Sequence, residues 1–195
     1  MVHHPLKRNN NLQNRYIHMA ISCSLNKDLL RTNTCGYSLP EVKDIYLANF
    51  SDVTSAPVEY DCESGVTVTG ITLANSAKFY HIEPAKDSVT FTDELVVEDN
   101  GNKYRTHTIS FNLAGKYDKD MVCPVDALAL GRFFVVVATA DGEYLALGRT
   151  VGLEASEQSV AGGGDTNGVT VTLSGNVTET AVPLNAASIA VVKGN

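Results

Sequence analysis

The sequence predicts an all-β (mainly β) protein, an antiparallel β-sandwich or barrel with one flanking α-helix and a long projecting β-hairpin. Three observations carry this. Phe133–Ala138 is an unbroken apolar run of Phe, Val and Ala, too short for a membrane span and rich enough in β-branched residues to be a strand buried on both faces. Two long alternating segments flank Asn100-Gly101, the dipeptide that most strongly signals a hairpin. Only one segment, Tyr117–Leu130, spaces its apolar residues as a helix does.

The central stretch Arg132–Arg149 organises the rest. Asp141-Gly142 follows the apolar run and tolerates the positive φ of a tight turn, and Tyr144, Ala146 and Gly148 then alternate with Glu143, Leu145 and Leu147. A strand covered on both faces needs protein on each side, so this hairpin belongs in the middle of the core.

The chain has 195 residues, enough for one domain with a substantial core, and 44% hydrophobic against 19% charged residues is a globular balance. Residues 1–18 are polar and basic and read as an N-terminal arm; 19–195 read as a single domain, with Met19 as an alternative start. Lys7 and Arg8 are followed by asparagines rather than an apolar segment, which argues against a secretory signal. No stretch approaches the ~18 apolar residues of a membrane helix. Net charge is -7, which disfavours wrapping a phosphate backbone but is compatible with a passage that nucleic acid slides through.

Val42–Asn49 reads as the first strand, 51–64 as a loop, Val66–Leu73 as a strand with a possible bulge at Gly70, and Lys78–Glu83 as another strand ended by Pro84. In the helix, Asp118 and Asp120 suit the N-terminal end and Gly131 the stop. Pro124, tolerated in a first turn, places the start near Cys123. Gly162-Gly163-Gly164 lacks the Lys-Ser/Thr of a phosphate loop and reads as a plain loop. Asn167-Gly168 turns the chain into Val169–Ser174, Val177–Val182 is a candidate partner, and Ala186–Val192 is a short strand or an ordered tail.

The hairpin across Lys86–Gly115 carries the candidate functional residues. With Asn100 and Gly101 as a two-residue loop, Glu98 faces Lys103, Glu94 faces His107, and Arg105 faces Val96 with both glutamates on its diagonals. In this register Val89, Phe91 and Leu95 lie on one face and Ile109, Phe111 and Leu113 on the other. The base is then apolar on both faces and needs cover from another subunit; a bulge that swaps the faces is the alternative. Glu94, Glu98, Lys103, Arg105 and His107 are thus the expected assembly hairpin.

The residues point to no catalytic or metal site. GxSxG is absent, and His81 alternates with Tyr80 and Ile82 as a strand residue rather than a general base. Cys23, Cys35, Cys62 and Cys123 form no CxxC pair and are expected as free thiols, a Cys23–Cys35 bridge being the alternative. The expectation is a non-enzyme with no cofactor and no metal.

A resemblance sharpens this. RFFVVV at 132–137, DGEYLALG at 141–148, Gly152-Leu153-Glu154, the glycine-rich loop, DTNGVTVTLSG at 165–175 and Glu179 resemble the C-terminal half of tail-tube-like virion proteins of tailed phages from Bacteroidetes hosts. VKDIYLANF at 42–50 and GITL at 70–73 are similar to the upstream part, and the likeness spans residues 20–182. It implies a tail-tube type of sandwich or barrel whose subunits join into rings, commonly of six. The rings stack into a tube that DNA passes through without sequence-specific binding. It implies as partners the chain itself and other virion tail proteins, no membrane, and a place in the virion after assembly in the host cytoplasm. The reading from another class is a binding module, such as a capsid decoration or surface-adhesion domain.

Overall fold

A computed structural model describes residues 41–61, 65–113, 115, 117–162 and 168–194, all within one compact unit. The expectations for the arm, for Met19, for Cys23, Cys35 and Cys62, and for Gly163 and Gly164 lie outside the described residues. In chain order the strands are β1 (Val42–Asn49), β2 (Val53–Ser55), β3 (Val58–Asp61), β4 (Gly65–Val68), β5 (Thr72–Leu73), β6 (Tyr80–Ile82), β7 (Thr90–Val97) and β8 (Lys103–Leu113). After helix α1 (Lys119–Leu130) come β9 (Arg132–Thr139), β10 (Tyr144–Leu147), β11 (Leu153–Ala161), β12 (Gly168–Val177), β13 (Val182–Pro183) and helix α2 (Ala186–Lys193).

The protein is mainly β, as the sequence predicts. The large sheet folds into two antiparallel layers. One runs β6-β1-β9-β10-β13 and the other β11-β12-β8-β7. Among the described residues they share strand pairing at one corner only, where Leu153 meets Phe133 and Glu154 meets Arg132. The result is a sandwich, not a closed barrel.

Strand β9 sits where the apolar run requires. Phe133, Val135 and Val137 face the core between the layers, with Ile45, Leu47, Ile109, Phe111, Val171 and Leu173. Phe134, Val136 and Ala138 face a second core, closed by Val68, Ile71, Phe79, Leu184 and Val192. Period-2 alternation thus sends one uninterrupted run into two separate interiors.

Several boundaries differ from expectation. The 51–64 loop contains β2 and β3, and the single strand at 66–73 is two short strands in different small sheets, β3-β4 and β2-β5. Among the described residues there are two α-helices rather than the one expected. The last segment is α2: the Asn185 side chain accepts from Ser188 N–H at 2.9 Å, and Gly194 ends the helix at φ 74°. Tertiary cover overrides its β-branched composition, because Ser188 and Val192 are buried against the second core.

Helix α1 begins four residues before Cys123. Asp118 caps it by accepting from Asp120 N–H at 3.0 Å, and Pro124 lies beyond the first turn on an exposed side. Proline there lacks the donor that Asp120 C=O would otherwise receive. Val125 and Leu128 are buried in the inter-layer core, which holds the helix together across that gap.

Candidate assembly surfaces

The projecting hairpin is closed by a three-residue loop, Asp99-Asn100-Gly101, and not by the two residues expected. Gly101 N–H donates to Glu98 C=O at 2.8 Å, Glu98 N–H donates to Asn102 C=O at 2.9 Å, and Gly101 takes φ 85°. This is a β-turn followed by a residue in the left-handed region, the usual three-residue hairpin. The register moves by one: Val97 faces Lys103, Leu95 faces Arg105, Glu94 faces Thr106 and Asp93 faces His107.

A one-residue slip exchanges the faces of a strand, and the consequences are large. Phe91 now shares a face with Ile109, so the hairpin base is apolar on one face only, and that face is buried inside the sandwich. The expected need for cover from another subunit at the base therefore falls away. Arg105 and His107 do come together, but around Asp93. Glu94 and Glu98 lie on the opposite face, where Glu98 accepts from the Asn100 amide at 3.1 Å and the Asn102 amide at 3.4 Å.

Asp93 is the residue the two-residue turn concealed. Its Oδ1 accepts from Arg105 Nε at 2.5 Å and its Oδ2 from Ala181 N–H at 2.9 Å. Burial would raise this carboxyl, but the Arg105 and Ala181 hydrogen bonds and the charges of His107 and Arg105 outweigh it and hold the pKa below the usual carboxylate value. His107 is fully buried. Its Nδ1 accepts from Gly148 N–H at 3.2 Å, which assigns the proton to Nε2, 3.4 Å from Asp93 Oδ1. Burial pushes the His107 pKa down, an effect only partly offset by the Asp93 and Glu179 carboxylates and the Glu179 main chain.

A second ion pair, half-buried Arg149 with buried Glu179, flanks this cluster. Arg149 Nε donates to Glu179 at 2.9 and 3.0 Å, and its Nη1 reaches Ala56 C=O at 2.7 Å. Glu179 is 3% exposed. Both clusters tie loops onto the sandwich. His81, on the other layer, donates to or accepts from Asp44 at 2.9 Å and stacks on Tyr46 at 4.9 Å between ring centres.

On the outer face of the four-stranded layer, strands β8 and β12 present a ladder of uncharged polar side chains. Between β8 and β12 the facing pairs are Thr106–Asn176 at 3.0 Å, Thr108–Ser174 at 3.0 Å, Ser110–Thr172 at 3.1 Å and Asn112–Thr170 at 2.9 Å, each hydrogen-bonded side chain to side chain. Glu94 on β7 and Glu157 on β11 flank this uncharged ladder, and Glu154 is paired to Arg132 at 2.6 Å. Helix α1 packs against β11, where Gln158 Nε2 donates to Val125 C=O at 2.9 Å. Among the described residues β7 has no strand beyond it, and β11 has none beyond it after Glu154.

Two apolar features complete the surface. Leu95 and Val97, at the hairpin tip, are 57% and 56% exposed. A groove of about 470 Å³ lies between α1 and the β1–β6 rim, lined by Leu47, Tyr80, Ile82, Leu113, Pro124 and Phe133 among others. Cys123 is a free, exposed thiol on α1. Among the described residues no helix is long and apolar enough to cross a membrane, and no three metal-ligating side chains cluster. No protein-family model matches the chain, and no curated protein matches it either.

Proposed function

We propose that the protein is a virion structural subunit of the tail-tube kind, whose copies join into rings that stack around a DNA conduit. The observation that carries this is the four-stranded layer with two unpaired rims. Unpaired strand edges are templates for pairing with another chain. β7 of one copy and the Ala155–Ala161 part of β11 of the next extend the layer from copy to copy, and a constant rotation closes it.

In that arrangement the Thr/Ser/Asn ladder lines the lumen. Strong binding of a phosphate backbone needs Lys and Arg, and the ladder offers none. Its flanking carboxylates repel phosphate, so DNA passes without being held. The resemblance read in the sequence supports the same function, with other tail proteins as partners at the tube ends and the virion as the final location.

Sedimentation velocity at rising concentration, followed by electron microscopy of the fastest fraction, tests this. Rings or tubes of constant diameter are expected. A chain that remains monomeric throughout overturns the proposal. The binding-module reading then takes its place, favoured by the apolar groove.

A further inference from the structure

We infer that His107 is an acid-sensitive latch: a proton arriving at its Nδ1 breaks the bond from Gly148 N–H and releases the 148–152 loop and the 177–182 segment, while β9 and its two cores hold. The device belongs to the single chain, so it stands or falls independently of the assembly proposed above.

The loop is seated on the histidine. His107 stands on β8 between Asp93 on β7 and Gly175 on β12. Gly148 N–H donates to its Nδ1 at 3.2 Å, and Gly152 N–H donates to Gly148 C=O at 2.7 Å. Gly152 C=O lies 2.7 Å from where a Cβ on Gly175 would stand, so the loop packs directly over the His107 rung. Arg149, inside the loop, holds Glu179 and Ala56 C=O. Asp93 holds the 177–182 segment through Ala181 N–H at 2.9 Å. The ring therefore meets the loop at Nδ1 and the anchor of the segment at Nε2, 3.4 Å from Asp93 Oδ1.

A second proton has no place in this arrangement. Neutral His107 accepts at Nδ1, whereas the imidazolium donates at both ring nitrogens. A protonated Nδ1 would face Gly148 N–H, donor against donor, and turning the ring over restores no acceptor. Among the described residues Nε2 already lacks a hydrogen-bond partner of good geometry. The ring is fully buried, so these unsatisfied donors carry a free-energy cost that opening to water relieves.

The surrounding charges do not call for a cation either. Asp93 on β7 is paired to Arg105, two residues before His107 on β8, and Glu179 in the 177–182 segment is paired to Arg149 in the loop. Two carboxylates meet two guanidinium groups, so an imidazolium is one positive charge in excess. Burial pushes the His107 pKa down by more than Asp93 and Glu179 raise it, which keeps the latch closed at neutral pH.

Amide hydrogen exchange of the intact chain between pH 7.5 and 5, read by NMR against the intrinsic rate at each pH, tests this. The reporters are the amides of Gly148, Gly152 and Ala181, and the reference is the middle of β9. Below about pH 6.5, the ordinary value for histidine, opening takes up one proton, so reporter protection should fall about tenfold per pH unit while β9 keeps its own. His107→Asn puts an untitratable acceptor near the place of Nδ1 and should remove that slope, its fold being checked by thermal melting at pH 7.5. His81→Gln, an exposed change on the other layer, should leave the slope intact and decides the matter should His107→Asn not fold. Reporter protection that ignores pH overturns the latch, as does β9 losing protection by the same factor. So does a slope that survives in His107→Asn or disappears in His81→Gln.

Discussion

The central hairpin β9–β10 and the projecting hairpin β7–β8 are closed by the same turn and differ in everything beyond it. Ala140-Asp141-Gly142 and Asp99-Asn100-Gly101 are both three-residue loops. In each the glycine N–H donates three residues back, to Thr139 C=O at 3.0 Å and to Glu98 C=O at 2.8 Å, and the glycine takes φ 92° or 85°. The central hairpin then enters two cores, while the projecting one has one buried face and one polar face. Misjudging the turn by one residue changes little in β9, where every residue from Phe133 to Ala138 is buried whichever way it points. The same misjudgement in β7 swaps Asp93 for Glu94 as the partner of His107. Turn length decides a structure where the sequence alternates and is nearly silent where it does not.

The largest effect should come from the central strand. Val135→Asp places a carboxylate at a position with 0% exposure and costs several kcal/mol, enough to leave the chain unfolded by circular dichroism. Cooperative melting near the native temperature would mean that β9 is not the shared wall of two cores. Next comes a pair of neighbours on β7. Asp93→Ala strands Arg105 and His107 and should cost about 2–4 kcal/mol in urea unfolding, somewhat less than a fully buried pair because the cluster is partly exposed. Glu94→Ala, one residue along, should stay within about 0.5 kcal/mol. Equal losses would restore the two-residue turn.

A third test uses pH. The His107 pKa is lowered in the folded protein from its ordinary 6.5, so the unfolded chain takes up this proton first as pH falls. Its contribution is therefore complete above about pH 6.5 and declines below that, until the folded pKa is reached. The Asp93 contribution, from a carboxyl lowered below its ordinary 3.8, persists through this range and is lost only at stronger acidity. His107→Gln should flatten the melting temperature between pH 7.5 and 5.5, and an unchanged slope would place the titrating group elsewhere. The turns give the smallest losses among the destabilising changes: Gly101→Ala and Gly142→Ala should each cost about 1–2 kcal/mol, since both glycines have positive φ and open space around the missing Cβ. A marked difference between them would break the equivalence of the two loops.

The sequence made the class of fold and its centre legible because a six-residue apolar run has one economical solution, a strand with protein on both sides. Helix α1 was legible through Val125 and Leu128, but its start was not, since Pro124 weighs against a helix that Asp118 nonetheless caps. Helix α2 was hidden by β-branched residues, although Asn185 and Gly194 carried its capping signals. Of the expected assembly residues, Arg105 and His107 converge and Glu94 and Glu98 do not. Asp93 was missed because Asn-Gly suggests a two-residue loop, and Asp99-Asn100-Gly101 equally suits a three-residue one. Arg149 and Glu179 are 30 residues apart, and only the folded chain brings them together.

The corner where the layers meet has a mechanical consequence. A pull that parts the layers loads the rungs Phe133–Leu153 and Arg132–Glu154 in sequence, like a zip. A pull along β8, applied at the hairpin tip and at the groove, loads all nine rungs from Leu113–Val169 to Arg105–Val177 together, in shear. The molecule is therefore weak against opening and strong against stretching along the one strand that links its two apolar ends.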